Sequence, residues 1–349
     1  MKSRATTVAA LCALLAGCST VTGPSVSKEE IKKAASELQL KALAYRTEQI
    51  KRINRIGYSL VGHIPPEDIS GKGRPHLGLF CFDRSDLTER YFKSQPEHGV
   101  FVAFLLENTP AARAGLQPGD VVTAINGRNV DNFRGLVAAE NRLKNTDKAE
   151  VAFVRDGRPM TAAVEVEHLP VDVRFSVIDE QSVNAAAGAK QVFVTYGLIN
   201  FTKSDDEIAA VLGHELAHLS RGHINRKLGG EVVKTFLAIG LGIAAEVASS
   251  GSGNVVMRSV GGVGDVFGAK FSRDLEREAD YFGVKYIYLA GYDPQVAATF
   301  HERFAIEIPE TMTRDYFSTH PSSPERTVRV QKAVEELKAK NATPQNVTQ

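Results

Sequence analysis

The chain has 349 residues, 43% of them apolar and 24% charged, with 42 Lys+Arg against 41 Asp+Glu. That length favours two domains at ~100–200 residues each. A net charge of +1 provides no basic field and no acidic tail, so nucleic-acid partners are not expected.

Residues 1–17 read as an export signal: Lys2 and Arg4 give a positive start, and Val8 to Ala16 forms an apolar core of signal-peptide length. That core falls short of the ~20 apolar residues a spanning helix needs. The segment ends Leu15-Ala16-Gly17-Cys18, which resembles the bacterial lipobox. The resemblance implies that Cys18 is acylated and becomes the mature N-terminus. Ser19 in place of Asp then implies the periplasmic face of the outer membrane. The competing reading is an ordinary secretory signal with a chance cysteine. With Cys12 removed and Cys18 lipidated, Cys81 is left without a disulfide partner and is expected to be buried.

Residues 18–27 form a small, polar tether. From Lys28 to about Leu60 the positions Leu38, Ala42, Tyr45, Ile50, Ile53, Ile56 and Leu60 recur at helical spacing. Pro65, Pro66, Gly71, Gly73 and Pro75 then mark a linker, so 28–75 is read as helix plus linker. Residues 76–169 change to short strands: Val100–Leu106, Val121–Ile125 and Glu150–Arg155, with Asn126-Gly127 and Asp156-Gly157 as hairpin turns. Two further strands follow, Val173–Ile178 and Gln191–Tyr196, and after residue 203 the pattern is mostly helical to 340. Gln191–Tyr196 is expected to present an edge to an extended peptide. The apolar segment 232–248 is broken by Lys234, Gly240, Gly242 and Glu246 and reads as a helix over the site or at a membrane surface. Residues 249–264 are glycine- and serine-rich, and 341–349 form a polar tail expected to be disordered.

The strongest local signal is Gly213-His214-Glu215-Leu216-Ala217-His218, within a helix opened by the Ser204-x-x-Glu207 capping box. His214 and His218 lie one turn apart and share a face, a separation one zinc ion can bridge. Glu215 is rotated by about 100°, beside the metal, where a carboxylate can take a proton from water. A catalytic zinc needs a third protein ligand. Glu276-Arg277-Glu278-Ala279-Asp280 offers Glu276, with Asp280 on the same face to hold the free ring N–H of a ligand histidine. The bland alternatives are a surface helix with two solvated histidines and an exposed charged helix paired with Arg273 and Arg277. No Ser-His-Asp or Cys-His arrangement competes.

His-Glu-Leu-Ala-His followed by Glu-Arg-Glu-Ala-Asp resembles the zinc metallopeptidases related to CAAX prenyl proteases, HtpX and the periplasmic protease BepA. Val183-Asn184-Ala185, Val194-Thr195-Tyr196-Gly197-Leu198 and His320-Pro321 with Arg326 extend the resemblance from about Val173 to Arg329. Ala186-Ala187-Gly188 departs from it, where relatives carry bulkier residues. The resemblance implies Glu276 as the third ligand of one Zn2+ and Glu215 as general base. It leaves His320 either an oxyanion helper, a cap on the zinc of a resting enzyme, or a structural turn residue. Arg326 is a second oxyanion candidate, and Asn184 either binds substrate backbone or caps. Asn108-Thr109-Pro110-Ala111, Ala114-Gly115-Leu116, Pro118-Gly119-Asp120-Val121-Val122 and Ile125-Asn126-Gly127 resemble a PDZ domain of the bacterial protease type. His76-Leu77-Gly78-Leu79 stands where such domains hold a peptide C-terminus, so Leu77, Gly78 and Leu79 are candidate binding residues. Leu136, Val137 and Leu143 are expected beside that groove.

The expected fold is α+β: a mainly helical zinc-metallopeptidase domain with a small β-sheet (170–340), interrupted by a β-rich PDZ-like domain (76–169). The expected function is a lipid-anchored endopeptidase of the cell envelope acting on unfolded or misassembled polypeptides. The alternative is an anchored chaperone or scaffold with a latent zinc site.

Overall fold

The computed structural model describes residues 23–188, 190–224, 271–308, 320 and 324–342. Cys18 and the export signal, the segments 232–248 and 249–264, Pro321 and residues 343–349 lie outside the described residues. The chain divides into a leading unit to Gln39 and a main unit from Leu40. In the leading unit Glu30 N–H donates to Ser27 Oγ (3.2 Å) and Ser27 N–H to Glu30 Oε2 (2.8 Å), a reciprocal cap that starts helix α1 (Lys28–Gly62). Leu38 and Tyr45, from the first half of the expected apolar stripe, are exposed, whereas Ile53, Ile56 and Leu60 are fully buried.

In the main unit, Ile53, Ile56 and Leu60 join a core with Phe175, Val177, Val192 and Val194. These come from a three-stranded sheet of β9 (Arg174–Ile178), β10 (Ala185–Ala187) and β11 (Gln191–Thr195), in the order β10-β11-β9. The expectation that Gln191–Tyr196 forms an edge is corrected: β11 is bonded on both sides, antiparallel to β10 and parallel to β9. The reason is that Ala186-Ala187-Gly188 turns back along it and takes the edge position. Thr195 N–H donates to the Asn184 carbonyl (3.0 Å) and Gly188 N–H to the Gln191 carbonyl (2.7 Å). By antiparallel alternation the backbone groups of Ala185 and Ala187 face away from β11.

Helix α5 (Tyr196–Phe201) follows and then α6 (Asp205–Ser220), where Ser204 Oγ accepts from Glu207 N–H at 3.2 Å. The second arm of the capping box reaches one residue further than expected: Glu207 Oε2 accepts from Lys203 N–H (2.7 Å) and from Arg303 (2.6 Å). The remaining described helices are α7 (Arg273–Leu289), capped by Ser272, α8 (Gln295–Glu307) and α9 (Pro324–Ala342). Leu212, Leu216, Ala279, Ile287, Phe304 and Val334 close their shared core. Among the described residues no helix is long and apolar enough to cross a membrane.

The β-rich module is tied off at its neck, because β1 (Arg74–His76) pairs antiparallel with β8 (Glu167–Leu169). The segment read as a linker is therefore ordered in part, with a 3-10 turn at Pro66–Asp68 and β1 at its end. Its main sheet runs β2-β3-β4-β6-β7, from β2 (Phe80–Phe82), β3 (Val100–Phe104), β4 (Val121–Ile125), β6 (Lys148–Arg155) and β7 (Arg158–Glu165). The short strand β5 (Arg128–Asn129) pairs with β4. Helices α2 (Asp86–Phe92), α3 (Pro110–Arg113) and α4 (Phe133–Glu140) complete it. Asn126 (φ 47°) with Gly127 (φ 70°), and Asp156 (φ 50°) with Gly157 (φ 74°), supply the paired positive φ that two-residue I′ hairpins require. Cys81 is buried in this module's core, and burial pushes its thiol pKa well up.

What positions the site is the contact of α6 with α7, where two glycines meet. A Cβ on Gly283 would lie 2.9 Å from His214 N, and one on Gly213 would lie 2.8 Å from Ile287 Cγ2 and 3.0 Å from the Gly283 carbonyl oxygen. Gly283→Ala is expected to force the helices apart at a cost of about 1–3 kcal/mol, read as a lower thermal midpoint. An unchanged midpoint would show that the backbones are not held at this spacing.

Candidate metal centre

Helix α6 projects His214 and His218 from one face, with Nε2 atoms 3.1 Å apart. Helix α7 brings Glu276 across, its carboxylate 3.4 Å from His214 Nε2 and 3.6 Å from His218 Nε2. His320 enters from outside these helices, with Nδ1 3.0 Å from Glu276 Oε1 and 3.2 Å from His214 Nε2. One donor atom from each of the four lies within 4.8 Å of all the others, and all four side chains are buried. Tetrahedral coordination at 2.0–2.1 Å puts donors about 3.4 Å apart, so these nitrogen and oxygen atoms fit a zinc ion. Glu215 sits beside them, fully buried, with neither carboxylate oxygen hydrogen-bonded among the described residues. His320 Nε2 approaches one of its oxygens at 3.3 Å.

The charge balance argues the same way. Glu215, Glu276 and Asp280 are buried carboxylates, and among the described residues Arg326 is the buried guanidinium beside them. Isolated buried charges are costly, so such a set fits a divalent cation. Asp280 Oδ1 lies 3.0 Å from His214 Nδ1, which leaves Nε2 of that ring for the donor cluster. Burial alone would raise the Asp280 carboxyl, but Arg326 and His214 outweigh it and hold its pKa at about 2. Burial opposes a charged His214, yet Asp280 and Glu276 push its pKa up to about 9; that proton is the one a cation would replace. Burial, then the charge of His214, hold His218 well below the usual histidine range.

Arg326, expected as an oxyanion helper, is committed elsewhere. Nε and Nη2 donate to Asp280 at 2.6–3.0 Å, and Nη1 donates to the His320 carbonyl at 3.0 Å. It thus ties α9 to α7 and to the main chain of His320. Asn184 is also a framework residue: its Oδ1 accepts from Ala185 N–H at 2.8 Å, at the start of the edge strand. Three positions escaped the sequence reading. Gly213 and Gly283 carry no chemical signal, and His223, five residues past His218, lies against that ring.

The candidate peptide groove lies elsewhere, between β2 and α4. A cavity of about 100 Å³ there is lined by Leu79, Phe82, Leu136 and Val137, and by Ile50 and Tyr58 of α1 opposite. Leu77 and Leu79 are buried, and Gly78 (φ +76°) has no room for a Cβ, which would fall 2.5 Å from Thr109 Cβ. Leu77 N–H donates to Glu140 Oε1 (3.3 Å), and Arg74 and Arg174 approach the other oxygen at 3.6 and 3.7 Å. The loop expected to hold a peptide carboxylate therefore already holds an internal one. Leu143, expected beside the groove, is buried beyond the end of α4.

A family model described as peptidase family M48 matches residues 152–334, and one described as PDZ domain matches 75–166. The mitochondrial metalloendopeptidase OMA1 of Arabidopsis thaliana is 31% identical over 176 residues, 50% of this chain and 33% of its own. Metalloprotease LoiP of Escherichia coli (strain K12) is 29% identical over 162 residues, 45% of this chain and 61% of its own. A probable periplasmic serine endoprotease, DegP-like, of Hahella chejuensis is 38% identical over 107 residues, 30% of this chain and 23% of its own. The chain spans less than two thirds of the length of each of these relatives.

Asp280→Ala would leave the Arg326 guanidinium buried without its partner, an expected cost of about 3–5 kcal/mol. It would also weaken zinc binding roughly 10–100-fold by freeing His214 Nδ1. Thermal unfolding of the metal-free protein and zinc competition with a chelator read the two effects separately. An unaltered unfolding midpoint would mean that the guanidinium finds another carboxylate.

Proposed function

The chain belongs to peptidase family M48, and from that membership we propose that it is a zinc-dependent endopeptidase of the bacterial cell envelope. The observation that carries the reading is Glu215. A fully buried carboxylate, unbonded among the described residues and placed beside four metal donors, has no use in a purely structural zinc site.

In this reading His214, His218 and Glu276 hold the metal. A zinc ion there supplies Lewis acidity, able to bring the pKa of a water to ~7 and to polarise a carbonyl. Glu215 takes the water's proton and returns it to the leaving amine. His320, 3.2 Å from His214 Nε2 and 3.0 Å from Glu276, would complete the donor set around a metal held there and would have to move aside for substrate. Arg326 holds Asp280 and the His320 carbonyl in place rather than meeting the oxyanion. Substrate is an extended or unfolded polypeptide that adds alongside β10, the edge next to α6, through the Ala185 carbonyl and the backbone of Ala187. Asn184 shapes that edge through its bond to Ala185 N–H. The PDZ module selects among polypeptides through the groove at Leu77, Gly78 and Leu79. A peptide C-terminus must displace Glu140 and part the groove from α1. Membrane attachment is assigned to a lipid on Cys18, and an envelope location agrees with the periplasmic name of the DegP-like relative.

The test is casein cleavage by the chain starting at Ser19, beside Glu215→Gln, with bound zinc quantified in both. Glu215→Gln is expected to retain zinc and lose ~10²–10⁴-fold in rate. Equal cleavage by both proteins would sink the mechanism. If the wild type holds zinc but does not cleave, His320→Ala is expected to release activity. An inert His320→Ala would favour the scaffold. In cells, Cys18→Ser is expected to abolish incorporation of labelled palmitate; undiminished labelling would remove the anchor from Cys18.

A further inference from the structure

We propose that His223 and Glu278 are positioning residues that fix the tautomer and ring orientation of His218 through a carboxylate–imidazole–imidazole relay. The proposal rests on the zinc reading of the centre and deepens it. His218 directs Nε2 toward His214 and Glu276, at 3.1 and 3.6 Å. To offer a lone pair there, the neutral ring must carry its proton on Nδ1, and that proton needs an acceptor. His223 Nδ1 lies 2.9 Å from His218 Nδ1. As the acceptor, it carries its own proton on Nε2, which faces Glu278 Oε2 at an ion-pair distance of 3.2 Å without the alignment of a hydrogen bond. Glu278 is oriented in turn by Arg221, whose Nε donates to Oε1 at 2.9 Å and whose guanidinium lies 4.2 Å from the centre of the Phe282 ring.

The local fold is built for this placement. Helix α6 ends at Ser220, Arg221 caps it, and Gly222 turns the chain at φ +69° so that His223 returns beneath His218. A Cβ on Gly222 would lie 2.7 Å from Ser70 Oγ, so the turn is also sterically reserved for glycine. Ser70 donates to the Ser220 carbonyl from both N–H (2.7 Å) and Oγ (2.8 Å), pinning the helix end. Phe271 stacks on the His218 ring at 3.9 Å and 22°, so His218 is held by one aromatic face and one nitrogen. His223 is fully buried. The two ligand histidines are thus supported differently: His214 meets the Asp280 carboxylate directly, while His218 meets a neutral ring with the carboxylate one imidazole further out. Glu278, placed by helical spacing on a different side of α7 from Glu276 and Asp280, serves the same centre through His223.

The experiment measures zinc competition with a chromogenic chelator, zinc release rate, and the visible spectrum of the cobalt-substituted chain. It uses wild type, His223→Leu, His223→Asn and Glu278→Gln. His223→Leu is expected to release zinc roughly 10–100-fold faster and to alter the cobalt spectrum. His223→Asn, which can set a carbonyl oxygen where Nδ1 stood, is expected to recover most of the wild-type affinity. Glu278→Gln lies at a partly exposed position and is expected to weaken binding by a smaller factor. Wild-type affinity in His223→Leu, or equal weakness in the Leu and Asn variants, would overturn the relay. If His223→Leu does not fold, Glu278→Gln decides, and unchanged zinc release there overturns it. A wild type that binds no zinc would instead overturn the reading beneath it, and a wild type that binds zinc without cleaving casein leaves the relay standing.

Discussion

The close approach of α6 and α7 is the contact on which the rest of the centre depends. His214 and His218 ride on one helix, Glu276 and Asp280 on the other, and neither pair can serve a common metal unless the backbones nearly touch. Gly213 and Gly283 make that possible, since a Cβ at either would collide with backbone or with Ile287. The buried face around them, with Leu212, Leu216, Ala279 and Ile287, supplies the apolar burial that offsets placing several charged groups in the interior. Donor positions on two packed helices are held by close-packed neighbours.

Within that frame each ligand is oriented by something behind it. Asp280 serves His214 and is itself gripped by two nitrogens of Arg326. Arg326 reaches on to the His320 carbonyl, so one guanidinium links α7, α9 and the fourth donor. His320 is the donor that stands outside the α6–α7 pair. Its exchange for another ligand would break contacts at its ring without disturbing the Arg326–Asp280 pairing. The donors of the α6–α7 pair and His320 are in this way carried by different elements.

Much of this was legible in the sequence because it depends on short spacings. The His-x-x-x-His turn, the Glu276/Asp280 face, the Ser204 cap and the two Xaa-Gly hairpins follow from helical periodicity or from φ preferences that particular residues satisfy. What was not legible depends on tertiary neighbours. Gly213 and Gly283 look like ordinary helix-weakening residues until the crossing is known. His223 lies beyond the end of α6, where periodicity no longer predicts direction, and only the positive φ of Gly222 returns it to His218. The edge strand was misplaced because a run of small residues, Ala185 to Ala187, gives little strand signal, yet its smallness lets it pair along β11.

The PDZ module poses a different physical problem, since its groove faces another part of the same chain. Ile50 and Tyr58 of α1 stand across from β2 and α4, and Tyr58 also stacks on His76 at 4.9 Å. At the loop, Glu140 already satisfies the Leu77 amide and neutralises part of the charge of Arg74 and Arg174. An incoming carboxylate therefore gains no new hydrogen bond at that amide until Glu140 leaves, and Glu140 cannot leave without withdrawing its charge from buried Arg74 and partly buried Arg174. In the proposed peptide-binding role, exchange would favour a ligand whose own carboxylate replaces that charge. The contacts at this groove thus reach α1, whose buried face also packs on the sheet beside α6.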